Sequence, residues 1–304
     1  MIRSWRLGNA TLTAVCEYYG PVHVPDILYP DMDRAVLESH RDLMEGAFWI
    51  PEIDRLVIGI QIWVLHLGDR VIVVDTGIGN HKPRRTPRAH MLNTVVMDWL
   101  AAAGATPDTV TDVLTTHLHS DHTGWHCRLD NNAWVPTFPN ATYCIPKADY
   151  EYWGDLWRSG QARDDAFADS IVPVVNAGLA RFVAPGDTCA GLAVTDARGH
   201  TPGMVNYWLA TEAGTAVFAG DVLHHPVQIY RPDWNGIVDI LPDQAQRTRA
   251  AFLAEVADRR ALVLPCHFGP PHCGFVLQQG EGYRFQPSVP GAMTAAAAPT
   301  PFTP

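Results

Sequence analysis

Between residues 117 and 122 the chain holds three histidines and one aspartate, in Val113-Leu-Thr-Thr-His117-Leu-His119-Ser-Asp121-His122-Thr-Gly124. Imidazole nitrogen and carboxylate oxygen are the donors that a borderline divalent ion such as zinc accepts. The apolar run from Asp112 to Thr116 predicts a short buried strand that delivers this loop. On an extended backbone His117 and His119 can point to one side, while Asp121 and His122 turn the corner. That geometry suits two adjacent metal positions better than one.

Further donors recur downstream, each where an apolar run gives way to Gly or Pro. His200 lies in Ala197-Arg-Gly-His-Thr-Pro-Gly203, Asp221 ends Thr215-Ala-Val-Phe-Ala-Gly-Asp221, and His267 follows Ala261-Leu-Val-Leu-Pro-Cys266. Loops at the ends of buried strands are where α/β proteins collect functional groups.

These side chains need a scaffold, and the hydrophobic pattern supplies one. Residues 7 to 19 alternate and predict an opening strand. An arm over residues 20 to 50 follows, with helical spacing from Asp31 to Met44 and a cap at Asp31 or Asp33. This arm could wall a pocket, form a surface hairpin, or make a homodimer contact. Strands are predicted over Val57 to Leu67 and Arg70 to Asp75, joined by a tight turn at Gly68-Asp69. A basic loop, Ile78 to Arg85, reads either as solvated or as a holder for a substrate carboxylate. Helices are predicted over Met91 to Ala103, Lys147 to Trp157, part of Arg163 to Val175, and Asp243 to Asp258. In the last of these, Ala245, Thr248, Phe252, Leu253 and Val256 face inward. Further strands are expected at Thr142 to Ile145, Arg181 to Ala184, Ala193 to Thr195, Met204 to Ala210 and Thr215 to Ala219. Residues 1 to 286 thus read as one domain, and 287 to 304 as a Pro/Ala-rich flexible tail.

Composition narrows the function classes. With 304 residues, 47% apolar and 18% charged, the chain reads as a folded soluble protein. A net charge of −10 disfavours nucleic acid or an anionic membrane surface as partner. No apolar run approaches the ~18 residues of a membrane helix, and the N-terminus lacks a signal peptide's apolar core, so the expected location is cytoplasmic. The six cysteines form no Cys-x-x-Cys pair and read as reduced and mostly buried.

The set His-x-His-x-Asp-His, Gly-His-Thr-Pro-Gly, Gly-Asp and a late His, with Val73-Val-Asp75-Thr-Gly77 ahead of it, resembles the metallo-β-lactamase-fold hydrolase superfamily over roughly residues 55 to 286. Within it, the motifs are nearest to the lactonases and the methyl-parathion-hydrolase-like enzymes. The resemblance implies an α/β fold, an αββα sandwich of two mixed sheets flanked by helices. It implies that His117, His119 and His200 hold one metal, that Asp121, His122 and His267 hold the other, and that Asp221 bridges them. Asp75 would support the ligand loop without binding metal. Two Zn2+, or other divalent ions such as Mn2+, Co2+ or Fe2+, ~3.5–4 Å apart would share a water and lower its pKa. The resulting bridging hydroxide would attack a carbonyl carbon or a phosphorus, and Asp121 would handle the proton.

Substrate is read from departures. The superfamily's quorum-signal lactonases carry a Tyr three residues after the bridging Asp; here that position is His224, a candidate proton or hydrogen-bond donor. Class B1 β-lactamases place Cys where Asp221 stands. Phe268-Gly-Pro-Pro-His272-Cys-Gly offers none of the late basic residues of glyoxalase-II-like thioesterases, and the chain has no room for a nuclease's inserted domain. Trp49, Trp125, Trp153, Trp157 and Trp234 suggest an apolar, mostly uncharged substrate. The expected activity is a dinuclear zinc lactonase or esterase. A phosphotriesterase is the alternative within that class, and a one-iron oxidoreductase like the persulfide dioxygenases is the alternative outside it.

Overall fold

The computed structural model describes residues 2–162, 164–288 and 291–293. The chain opens as a hairpin, β1 (Ile2–Leu7) and β2 (Ala10–His23), rather than as one strand, because Gly8 takes a left-handed φ of 59° and turns it. The arm follows as three short helices, α1 (Pro25–Leu28), α2 (Arg34–Ser39) and α3 (Arg41–Met44). Asp33 caps α2, its Oδ1 accepting from the Ala35 amide at 2.9 Å. Strands β3 (Trp49–Ile50), β4 (Arg55–Leu67) and β5 (Arg70–Val74) lead to α4 (Val96–Ala102) and β6 (Asp112–Leu114).

Helix α4 starts five residues later than Met91, the start its sequence pattern suggests. Met91 has a φ of +51°, outside any α-helix, and Asn80 Oδ1 accepts from both the Thr94 amide and its hydroxyl. The polar lacing of residues 80 to 94 therefore overrides helical spacing there.

The chain continues through β7 (Cys127–Asp130), β8 (Ala133–Pro136), β9 (Thr142–Pro146), α5 (Lys147–Arg158), a π-helical turn at Phe167–Ile171, α6 (Val172–Asn176), β10 (Ala180–Val183), β11 (Thr188–Cys189), β12 (Leu192–Asp196), β13 (Val205–Thr211) and β14 (Gly214–Gly220). It ends with α7 (Val227–Tyr230), α8 (Pro242–Asp258), β15 (Leu262–Pro265), β16 (Gly274–Gln279), β17 (Gly282–Pro287) and β18 (Gly291–Met293).

Two mixed sheets form. One runs β10-β9-β6-β5-β4-β2-β1-β18, with β3 added on β4; the other runs β11 to β17 in order. Strand periodicity explains the layering. In β5, Ile72 and Val74 face the space between the sheets, while Val73 faces outward towards α4. In β14, Ala216 and Phe218 meet that inner layer, while Val217 and Ala219 face α8. Helices cover both outer faces, giving the αββα arrangement expected from the sequence.

Three expectations need correction. The arm is core, not a surface hairpin: Leu28, Tyr29, Met44 and Phe48 are buried with Val222, Trp234 and Phe252. Cys144 and Cys189 are disulfide-bonded, and Cys16, Cys127, Cys266 and Cys273 are buried and not disulfide-bonded. The two partners lie on opposite sheets facing the inner layer, a proximity that linear spacing does not reveal. Residues 291–293 of the Pro/Ala-rich tail pair in parallel with β1 at Trp5 to Leu7; residues 294–304 lie outside the described residues. Among the described residues no helix is long and apolar enough to cross a membrane.

Candidate metal centre

Each metal-ligand candidate follows a strand end. β5 and β6 are parallel neighbours in one sheet, as β14 and β15 are in the other. Their carboxyl ends therefore open on one edge of the sandwich, where Asp75, the 117–122 loop, Asp221 and His267 converge. His200 arrives from the turn between β12 and β13.

All seven residues come together, in two sets. In the first, His119 Nδ1 lies 3.1 Å from His117 Nε2 and 2.8 Å from His200 Nε2, and Asp221 Oδ2 lies 3.3 Å from His200 Nε2. In the second, Asp221 Oδ1 is 3.2 Å from His122 Nε2, and Asp221 Oδ2 is 3.0 Å from His267 Nε2. Asp121 joins the second set at 3.7 Å from His267 Nε2 and 4.0 Å from His122 Nε2. Both His122 Nε2 and Asp221 Oδ1 are buried without a hydrogen-bond partner. Orphaned nitrogen and oxygen donors facing one another fit a cation, because each would otherwise cost free energy. The donor chemistry and the spacing thus fit divalent metal at these clusters.

The electrostatics differ between the sets. Burial and the neighbouring imidazoles pull His117 well below the usual histidine range and His119 down to about 3, leaving both neutral. Burial also pulls on His122, but Asp221, Asp75 and Asp121 outweigh it and hold that ring well above its ordinary value. Asp221 is buried too, yet the rings of His122, His267, His224 and His117 keep its carboxyl well below the carboxylate range.

Supporting contacts fix the rings. Asp75 Oδ2 meets His122 Nδ1 at 2.9 Å, and its carboxylate accepts from the Thr116 amide and hydroxyl at 2.8 Å each. Asp75 has a φ of +51°, which short polar side chains tolerate. Asp239 Oδ1 pairs with His200 Nδ1 at 3.0 Å, and His267 Nδ1 donates to the Gly59 carbonyl at 2.8 Å. Such partners fix ring orientation and tautomer. Asp239 and Gly59 escape a reading from sequence, since no local pattern marks them, and so does Asp149, whose carboxylate accepts from the Leu118 and Gly203 amides. Glu17 escapes it too. It is half-buried, accepts from Trp125 Nε1 at 2.8 Å and from the Ile78 and Gly79 amides, and desolvation raises its carboxyl to about 7.

His224 is buried, with Nε2 3.1 Å from Asp221 Oδ2 and Nδ1 without a partner. Its ring stacks on His267 at 5.4 Å and meets His200 at 4.6 Å. His126 is held by both nitrogens, at Thr76 Oγ1 and Thr115 Oγ1, and is no ligand. The basic loop is neither solvated nor open to substrate at its centre. Lys82 and Arg84 are buried on Asp169, at 2.9 and 2.7 Å. The tryptophans do not form a common wall: Trp49 and Trp234 are core, Trp125 serves Glu17, and Trp153 alone of the five meets a ligand ring, His119, at 5.3 Å.

The ligand loop also depends on close backbone approach. Residues 76 to 79 zip onto 122 to 125 through Thr76 N to His122 O and Gly124 N to Gly77 O, both 2.7 Å. A Cβ on Gly124 would overlap the Ile78 carbonyl. Gly124→Ala is expected to destabilise the fold by about 3 kcal/mol or more. Denaturant unfolding checks this; a loss below about 1 kcal/mol would show that the two loops have room to part.

Comparisons with known proteins agree with this fold. Metallo-β-lactamase domain-containing protein 1 of Xenopus laevis is 31% identical over 169 residues, 55% of this chain, and the matched region spans 58% of that protein's length. Among solved structures, the hydrolase AbOPH of the β-lactamase superfamily superposes with a TM-score of 0.79 at 24% identity, covering 95% of this chain and 97% of that one. AidC, a dizinc quorum-quenching lactonase, superposes with a TM-score of 0.74 at 22% identity, over 95% and 97%. The sequence profile of the metallo-β-lactamase superfamily matches residues 57–267, so the chain belongs to that superfamily.

Proposed function

We propose that this protein is a dinuclear metal-dependent hydrolase that opens a lactone or cleaves a carboxylic ester. One observation carries the reading: rings of both donor sets lie within 3.3 Å of the one carboxylate Asp221, and its Oδ1 and the facing His122 Nε2 are buried without partners. When bound, a pair of divalent ions such as zinc supplies an activated water and polarises an electrophilic oxygen. AidC is itself a dizinc lactonase, and its structure holds N-hexanoyl-homoserine-type product, which supports a carbonyl substrate.

The chain's own groups divide the remaining work. Asp121 is one-third exposed, whereas Asp221 is buried, so Asp121 can pass a proton between the site and solvent. His224 sits where it can donate a hydrogen bond beside Asp221 to an incoming carbonyl oxygen or leaving group. Asp75 and Asp239 hold the rings of His122 and His200 in place.

Elemental analysis combined with a screen of lactones, aryl esters and phosphotriesters tests this. Two divalent ions per chain with ester or lactone turnover is the expected result. One iron per chain without hydrolysis would replace it with the oxidoreductase reading. His224→Phe is expected to lower kcat roughly 10²-fold with metal content unchanged; unaltered kinetics would return His224 to a packing role.

A further inference from the structure

Resting on the two-metal reading, we propose that Asp149 is a positioning residue for one metal position alone, that of His117, His119 and His200. Asp149 lies in the first turn of α5 and is fully buried. Its Oδ2 accepts from the Leu118 amide at 2.9 Å and from Thr201 Oγ1 at 3.0 Å. Its Oδ1 accepts from the Gly203 amide at 2.7 Å. Leu118 sits between His117 and His119, and Thr201 and Gly203 follow His200. One carboxylate thus clamps together the two loops, far apart in sequence, that carry the three imidazoles of the first set.

The remaining ligands are tied elsewhere. His122 is held by Asp75, and His267 by the Gly59 carbonyl. No hydrogen bond runs from Asp149 to the Asp121, His122 or His267 side chains. The clamp is also sterically built. A Cβ on Gly203 would overlap the Asp149 amide, so helix start and turn are pressed together at a point only glycine allows. The same helix turns Trp153 onto His119, with ring centroids 5.3 Å apart, so α5 presents both a clamp and a wall to this set.

The prediction is asymmetric. Removing Asp149 frees the two loops to drift apart while Asp75 and Gly59 keep the second set in register. The loss of such supporting partners typically weakens metal affinity 10- to 100-fold.

The test is chelator competition on the zinc-loaded protein, read as zinc released per chain, for wild type, Asp149→Asn and Thr201→Val. Asparagine keeps the shape but turns a donor towards either the Gly203 amide or the Leu118 amide, since those two bond different carboxylate oxygens, and valine deletes one of the three bonds. Expected is release of one zinc at about tenfold or more lower chelator concentration than in wild type, with the second zinc unmoved. Thr201→Val should give a smaller shift in the same single step, so the test survives if Asp149→Asn folds poorly. Equal weakening of both zincs, or weakening of neither, would overturn the clamp. A wild type that holds fewer than two zincs would remove the underlying two-metal reading instead, and the clamp with it.

Discussion

Asp221→Ala should strip both metals from the protein and lower turnover by roughly 10³-fold or more, since several kcal/mol of charge stabilisation go with them. No other side chain takes part in both donor sets. Asp221 Oδ1 faces His122, and Oδ2 faces His200, His224 and His267 within 3.3 Å. Without it, the buried carboxylates Asp75 and Asp239 remain only on the Nδ1 sides of His122 and His200, and a cation brought among the Nε2 atoms would have lost its main counter-charge. Asp221→Asn keeps the shape and one oxygen, so comparing the two variants separates lost charge from lost packing. Elemental analysis and steady-state kinetics on the purified variants are the measurements. Wild-type metal content with wild-type kcat in Asp221→Ala would refute the shared-carboxylate arrangement.

Asp169→Ala should cost about 3–5 kcal/mol of stability, because it leaves buried cations without their partner. Lys82 Nζ donates to Asp169 Oδ1 and Ser170 Oγ, both at 2.9 Å, and stands 4.0 Å over the Trp134 ring. Arg84 reaches both Asp169 oxygens, at 2.7 and 2.9 Å. Burial already lowers the Lys82 pKa, with Asp169 opposing it. Without Asp169 the folded state would hold that proton still less tightly than the unfolded chain does. Stability of the variant should therefore recover as pH rises from 7 towards 10, where the unfolded lysine also gives up its proton. Denaturant unfolding at both pH values measures this. A variant as stable as wild type at pH 7 would show that the two cations find solvent or another acceptor.

The metal ligands could be read in advance because they are local. Four of them fall within six residues, and the others sit at strand ends marked by Gly or Pro. Apolar runs likewise betrayed the strands, since inner and outer layers are both apolar and the sheets need both faces covered. What stayed hidden depends on partners distant in sequence. Arg249 lies on the inward face of α8 and is buried, with bonds to the carbonyls of Val222, Pro232 and Trp234 and to Asp239. A helical pattern read for apolar residues passes over it and selects Thr248, which instead bonds the Arg198 carbonyl. Lys82 and Arg84 look like solvated charge until Asp169 is brought to them. Asp149 looks like an ordinary residue of an early helical turn until Gly203 is pressed against it.

Strand β4 belongs to the first sheet, yet its backbone also grips the chain beyond β15: Gly59 N bonds His267 O at 2.8 Å, and Gln61 N bonds Cys266 O at 3.0 Å. The Gln61 side chain reaches the Phe268 carbonyl as well. The two layers are sewn together at the very edge where the donors gather. Unpicking this seam carries His267 away with it. Catalytic alignment and the closure of this edge are therefore lost in a single event.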